Sequence, residues 1–182
     1  MRGKALLALL LLAVLGFGGW RYERTRSLEH RLGKIASVIA RRPVKVHCQG
    51  SVAATVDVGA ELGTVQFDPN GRPADTTDLR HSVCGWLAQL PGGSVADAAT
   101  AVEVLAHESY HLAGIADEAQ AECDALQTMG WVAEQFHATP QQIRTWTAYS
   151  LARYPSMPDE YVSDECRNGG RLDLRPTSDV WP

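Results

Sequence analysis

The chain has 182 residues, 45% of them hydrophobic, which is enough apolar material for one core of ordinary size and argues against wholesale disorder. Its net charge of −4 conceals a strong asymmetry, because residues 1–47 sum to about +8 and the remainder to about −12. An acidic body is a poor match for nucleic acid, whose binding depends on basic side chains that neutralise phosphates, so we expect no nucleic-acid partner.

The N-terminus has the pattern of a signal anchor. Arg2 and Lys4 precede a leucine-rich run without a charged residue at 5–20. We find no good small-residue cleavage site, which favours an uncleaved anchor, and Trp20 and Tyr22 stand where interfacial aromatic residues are common. We therefore expect residues 1–22 to form a single transmembrane helix, so that the membrane is a partner and the chain resides in the cell membrane.

A second helix is predicted directly after the anchor. Leu28, Leu32, Ile35 and Ile39 recur at three- and four-residue spacing, which predicts a basic juxtamembrane helix over 23–42 that ends before Pro43. The basic residues around this helix favour a cytoplasmic location under the positive-inside rule. Residues 43–182 would then form the globular domain.

The cysteines favour the opposite side of the membrane. Cys48, Cys84, Cys123 and Cys166 are even in number and show no CxxC spacing. Three pairings are open, and we favour the two local ones, Cys48 with Cys84 and Cys123 with Cys166. Each bridge would add about 3–4 kcal/mol in an oxidising compartment. The alternative is four buried thiols in a cytoplasmic domain; we expect disulfides and an extracytoplasmic domain.

The first half of the globular domain shows strand patterns. β-Branched enrichment and alternation predict a small antiparallel sheet, with a turn at 68–71. Its strands are predicted at 44–48, 52–58 and 64–67. Helical spacing returns over 78–90 and ends at the Pro91-Gly92-Gly93 sequence.

The second half is predicted to be helical. Ser94, Asp117 and Thr139 are N-cap residues for three helices, which end near Ala113, Phe136 and Arg153. Gly114 separates the first two, which predicts a helix hairpin, and an irregular tail follows the third. The fold class expected is α+β: a mainly helical core with a small antiparallel sheet.

One motif in the first helix of this hairpin carries chemistry. His107 and His111 are four residues apart, so both imidazoles project from one face and can bind a single Zn²⁺. Glu108 adjoins the first histidine, where a carboxylate can take the proton of a metal-bound water as that water attacks a carbonyl.

This HExxH sequence resembles that of the zincin metallopeptidases. The run after His111 matches the metzincin extension HExxHxxGxxH, with Asp117 in place of the usual histidine, as in the small snapalysin-like proteases. It also resembles the gluzincins, in which a glutamate on the next helix binds zinc. In an antiparallel hairpin Glu118 comes level with His111 and Glu122 with His107. We therefore favour Glu118 as third ligand, with Glu122 supporting His107 Nδ1-H; Glu122 and Asp117 are the alternative ligands.

The resemblance implies a function and leaves two classes open. The first is a membrane-anchored zinc peptidase that cleaves peptide or protein substrates, with Glu108 as general base and His107, His111 and Glu118 as ligands. The second is a non-catalytic zincin-like structural or partner-binding module. Zincins such as thermolysin also use a downstream histidine or tyrosine to stabilise the oxyanion. The candidates here, by residue type alone, are His137, Tyr149, Tyr154 and Tyr161.

Overall fold

A computed structural model describes residues 22–50 and 61–182. Residues 1–21 of the predicted anchor and the predicted strand at 52–58 lie outside the described residues. Within the two described ranges, no helix is both long and apolar enough to cross a bilayer.

Five helices make up about half of the described residues, and the fold is α+β as predicted. Ser94, Asp117 and Thr139 each cap a helix as predicted, because each side chain accepts a hydrogen bond from the backbone N–H three residues later. The helices are α1 (22–40), α2 (His81–Leu87), α3 (Val95–Leu112), α4 (Glu118–Gln135) and α5 (Pro140–Arg153). Two 3₁₀ turns follow, at Tyr154–Ser156 and Asp159–Tyr161.

The sheet is mixed, so the prediction of a purely antiparallel sheet is wrong. Its strands are β1 (Lys45–Cys48), β2 (Gly63–Phe67) and β3 (Pro73–Leu79), in the order β1-β3-β2. Strand β3 pairs parallel with β1 and antiparallel with β2. Strand β3 was not predicted, because Pro73 and the polar residues after it lack an apolar alternation, and the end of this strand was predicted to be helical.

Both predicted disulfides are present. Cys48 on β1 is bonded to Cys84 on α2, and Cys123 on α4 is bonded to Cys166 in the C-terminal tail. The first bridge joins the sheet to α2. The second ties the tail to the helix that also carries Glu118 and Glu122.

Helix α1 contributes to the same hydrophobic core as the rest of the described structure. Leu32, Ile35 and Ala36 are 0–6% exposed and belong to one cluster with side chains of α3 and α4. Helix α3 lies at the centre, because it contacts α2, α4, α5 and the strands β2 and β3. This central helix carries the HExxH sequence, so the motif lies between the sheet and the other helices.

Candidate metal centre

The turn between α3 and α4 sets the geometry of the site. Gly114 has φ +102°, a left-handed conformation that costs glycine little, and it ends α3. The N–H of Ile115 then bonds to Tyr110 O and the N–H of Gly114 to His111 O, which is the Schellman pattern of a helix C-terminus. The chain reverses within a few residues, so the first turn of α4 lies beside the last turns of α3.

Three side chains converge at this reversal and can together hold a metal ion: His107, His111 and Glu118. The two Nε2 atoms are 2.8 Å apart, and Glu118 Oε2 lies 3.0 Å from His107 Nε2 and 3.2 Å from His111 Nε2. Ligands 2.0–2.1 Å from a tetrahedral zinc ion would be about 3.3 Å apart, so the three atoms are close to the required spacing.

The other nitrogen of each imidazole has an oxygen partner of its own. Glu122 Oε2 lies 2.9 Å from His107 Nδ1, and the carbonyl oxygen of Ile115 lies 2.7 Å from His111 Nδ1. A carbonyl oxygen only accepts, so it fixes the His111 proton on Nδ1, and the Glu122 carboxylate favours the same tautomer of His107. When both rings are neutral, the two Nε2 atoms, 3.0 and 3.2 Å from Glu118 Oε2, are left free to bind a metal ion.

A cation fits this donor set because three lone-pair-bearing atoms face one another across about 3 Å. Burial lowers the pKa of His107, but its contacts with Glu118 and Glu122 outweigh burial and raise that pKa to about 10. The contact with His107 lowers the pKa of Glu118. The site therefore favours a positive charge. A proton can bridge only one pair of these three atoms, whereas a metal ion can contact all three.

Glu108, the candidate general base, is held between α3 and the sheet. It is 4% exposed, and its Oε2 accepts a hydrogen bond from Thr77 Oγ1 on β3 at 3.2 Å. On β2, a Cβ atom at Gly63 would lie only 2.6 Å from Glu108 Oε1. Burial raises the pKa of Glu108 to about 7.

Two cavities open beside these residues, and Tyr161 lines both. One, of about 390 Å³, is bordered by Glu108, His107 and Met157, and the other, of about 290 Å³, by Phe67, His111 and Glu118. The ring of Tyr161 lies 5.7 Å from the ring of His107, and burial raises the pKa of its hydroxyl to about 12. Tyr161 is thus a hydrogen-bond donor at the site across the neutral pH range.

The structure distinguishes Tyr161 from the other oxyanion candidates of the sequence. Tyr149 is 36% exposed on α5, and the Tyr154 hydroxyl accepts a hydrogen bond from the Ser163 N–H. Neither of these residues nor His137 borders the two cavities at the metal centre. No local pattern marks Tyr161, because it lies 50 residues after His111 and reaches the site only through the packing of the tail on α4.

Behind Glu122 lies a buried polar group that the sequence analysis missed. Glu103 is 3% exposed, forms an ion pair with Arg153 of α5 and lies close enough to Glu122 for the two acids to interact electrostatically. Burial, and then the neighbouring charge of Glu122, raise the pKa of Glu103 to about 8. The available signal was spacing, since Glu103 lies one helical turn before His107.

Asp117, the alternative third ligand, caps helix α4. Its Oδ1 accepts a hydrogen bond from the Gln120 N–H at 2.8 Å, and the side chain is exposed.

Comparisons of the chain with protein-family models, curated proteins and solved structures found no match.

Proposed function

We propose that the protein is a membrane-anchored zinc metallopeptidase with His107, His111 and Glu118 as the ligands. The observation that carries the proposal is the convergence of these three side chains on one point, 2.8–3.2 Å apart, beside the buried carboxylate of Glu108. Imidazole and carboxylate ligands suit zinc.

Zinc held here would polarise a substrate carbonyl and lower the pKa of a coordinated water towards 7. Glu108 would accept the proton released in the reaction, since a pKa of about 7 lets a carboxylate both take and return a proton near neutral pH. From the sheet side, Thr77 donates a hydrogen bond to this carboxylate, and Gly63 leaves the space that the carboxylate occupies. The Tyr161 hydroxyl would donate a hydrogen bond to the oxygen on which negative charge develops.

Access to the site favours a catalytic role over a purely structural one. The Glu118 side chain is 37% exposed, and the two cavities bring solvent and substrate to the ligands. Among the described residues the cluster offers three protein ligands, the number common in catalytic zinc sites, whereas structural sites are closed by four.

The test is metal content and peptide hydrolysis by the full chain in detergent, beside single variants. We expect stoichiometric zinc in the parent and in Glu108→Gln, reduced zinc in Glu118→Gln, and hydrolysis of a peptide library by the parent but by neither of these two variants. Glu134→Gln is the matched control, because Glu134 is an exposed carboxylate on the same helix.

Two outcomes would contradict the proposal. A parent protein without stoichiometric metal would exclude both the ligand set and metal-dependent catalysis. Zinc bound by the parent without hydrolysis, under conditions in which a known zinc peptidase cleaves the same library, would favour the non-catalytic zincin-like module.

A further inference from the structure

A groove on the side of helix α1 concentrates exposed positive charge. It has a volume of about 730 Å³ and lies between α1 and the segment that leads into β1. Four exposed basic side chains line it: Arg26, Lys34, Arg41 and Lys45. The groove is a local exception, since the chain after residue 47 sums to about −12.

These four charges are not neutralised by the described part of the protein. None of the four forms an ion pair with a described residue. Glu29 is the acidic residue of the groove, and its Oε1 accepts the Cys48 N–H at 2.8 Å. Arg42, by contrast, is bound within the protein by Asp75 and the carbonyl of Leu112.

We propose that this basic groove docks onto the anionic phospholipid headgroups of a bilayer. Clustered basic side chains beside a membrane segment bind anionic lipid, each contributing about a fivefold gain in affinity. The apolar run at 5–20 precedes α1 in the sequence, so the groove follows directly after the segment expected to enter the bilayer. A bilayer surface is therefore the anionic partner that lies within reach.

Docking through this face would set the orientation of the domain. Arg42 lies in the groove wall and donates from Nε to the Leu112 carbonyl, one residue after His111. The groove thus adjoins the C-terminal end of α3. An anionic bilayer would hold this end of the domain, and with it the candidate metal centre, near the membrane surface. The inference rests on the proposed membrane anchor and not on whether the centre is catalytic.

The lysine content of the chain gives a direct measurement. Lys34 and Lys45 are its only lysines besides Lys4, so amine labelling read by mass spectrometry reports on the groove. The full chain is reconstituted in nanodiscs of phosphatidylcholine alone or with phosphatidylglycerol. We expect both lysines to react at least about fivefold more slowly in the anionic discs, and the difference to disappear at high salt.

Matched variants separate docking from general effects. Arg26→Gln/Arg41→Gln should return the labelling rates to those of neutral discs, whereas Arg144→Gln/Arg175→Gln, which removes two exposed arginines elsewhere, should keep the protection. Equal labelling in both lipids, or protection that survives Arg26→Gln/Arg41→Gln, overturns the proposal. If duplex DNA added to neutral discs slows the labelling of both lysines, while anionic discs without DNA do not, the groove would be assigned to nucleic acid instead.

Discussion

The contact between Glu122 and His107 allows a quantitative test of the candidate metal centre. Glu122 is 3% exposed, and its Oε2 lies 2.9 Å from His107 Nδ1. In Glu122→Gln the side chain keeps its shape but loses the charge that makes the imidazole a stronger ligand. Removing such a partner weakens metal binding about 10- to 100-fold, or about 1.4–2.7 kcal/mol, and we expect zinc affinity to fall by this amount.

The assay is a competition titration of the full chain with a chromophoric zinc chelator at pH 7. Asp124→Asn is the control, because Asp124 is equally buried on the same helix but is hydrogen-bonded by Gln120. It should bind zinc as the parent does. Thermal unfolding of both variants without metal reports any general loss of stability.

Equal zinc affinities of Glu122→Gln and the parent would refute the argument that this carboxylate supports the first ligand. A similar loss of affinity in Asp124→Asn would also contradict it, since the effect would then arise from disturbing α4 as a whole. The contact of Glu122 with Glu103 bears on the stability expected for Glu122→Gln. Because the charge of Glu122 helps to raise the pKa of Glu103, the variant removes one of two neighbouring buried acids, so we expect no large loss of stability in the metal-free protein.

Three further predictions concern the surroundings of the site. Gly63→Ala should abolish hydrolysis while zinc is retained, because the added methyl would displace the Glu108 carboxylate, whereas Gly85→Ala, whose Cβ meets nothing within 4 Å, should leave activity unchanged. Replacing the cysteines of either disulfide by serine should lower the free energy of unfolding by about 4 kcal/mol in denaturant titrations, because the bridges close loops of 36 residues (Cys48–Cys84) and 43 residues (Cys123–Cys166). Only the loss of Cys123–Cys166 should also impair hydrolysis, since that bridge holds the tail that carries Tyr161. In the metal-free protein the folded state keeps the Glu103 proton up to about pH 8, whereas the unfolded chain releases it near pH 4.5. The folded state therefore binds more protons between these two pH values, and the thermal midpoint of unfolding should fall as the pH rises from 5 to 8. Glu103→Gln should reduce that slope, and an unchanged slope would contradict the assignment.

Local signals in the sequence were sufficient for three helix starts, and they favoured the disulfide pairing that the structure shows. Ser94, Asp117 and Thr139 mark helix starts because a side chain that accepts from the first turn is a short-range feature. The favoured cysteine pairing matches the structure, although nearness in sequence was its only basis. Strand β3 was missed because its pairing with β1 and β2 comes from sheet contacts rather than from its own polar sequence.

In the candidate site, too, some residues could be predicted from local sequence and others could not. His107, His111, Glu118 and Glu122 are linked by helix periodicity and one short turn, so their proximity could be predicted within a span of sixteen residues. Tyr161, Thr77 and Arg153 come from the tail, the sheet and α5. Their arrival depends on tertiary packing, for which a single sequence carries no short-range signal.

The buried side chains around His107 explain why a short motif alone would not form this centre. Each nitrogen of the His107 ring has a carboxylate within 3.0 Å, Glu118 at Nε2 and Glu122 at Nδ1. Glu122 in turn interacts with Glu103, which forms an ion pair with Arg153. Such a chain of buried acidic and basic groups is costly to bring together unless its members are paired. Helices α3, α4 and α5 each supply part of it, so the ligand geometry is fixed only when all three are packed together. Loosening any of these helices should therefore weaken metal binding before it unfolds the domain.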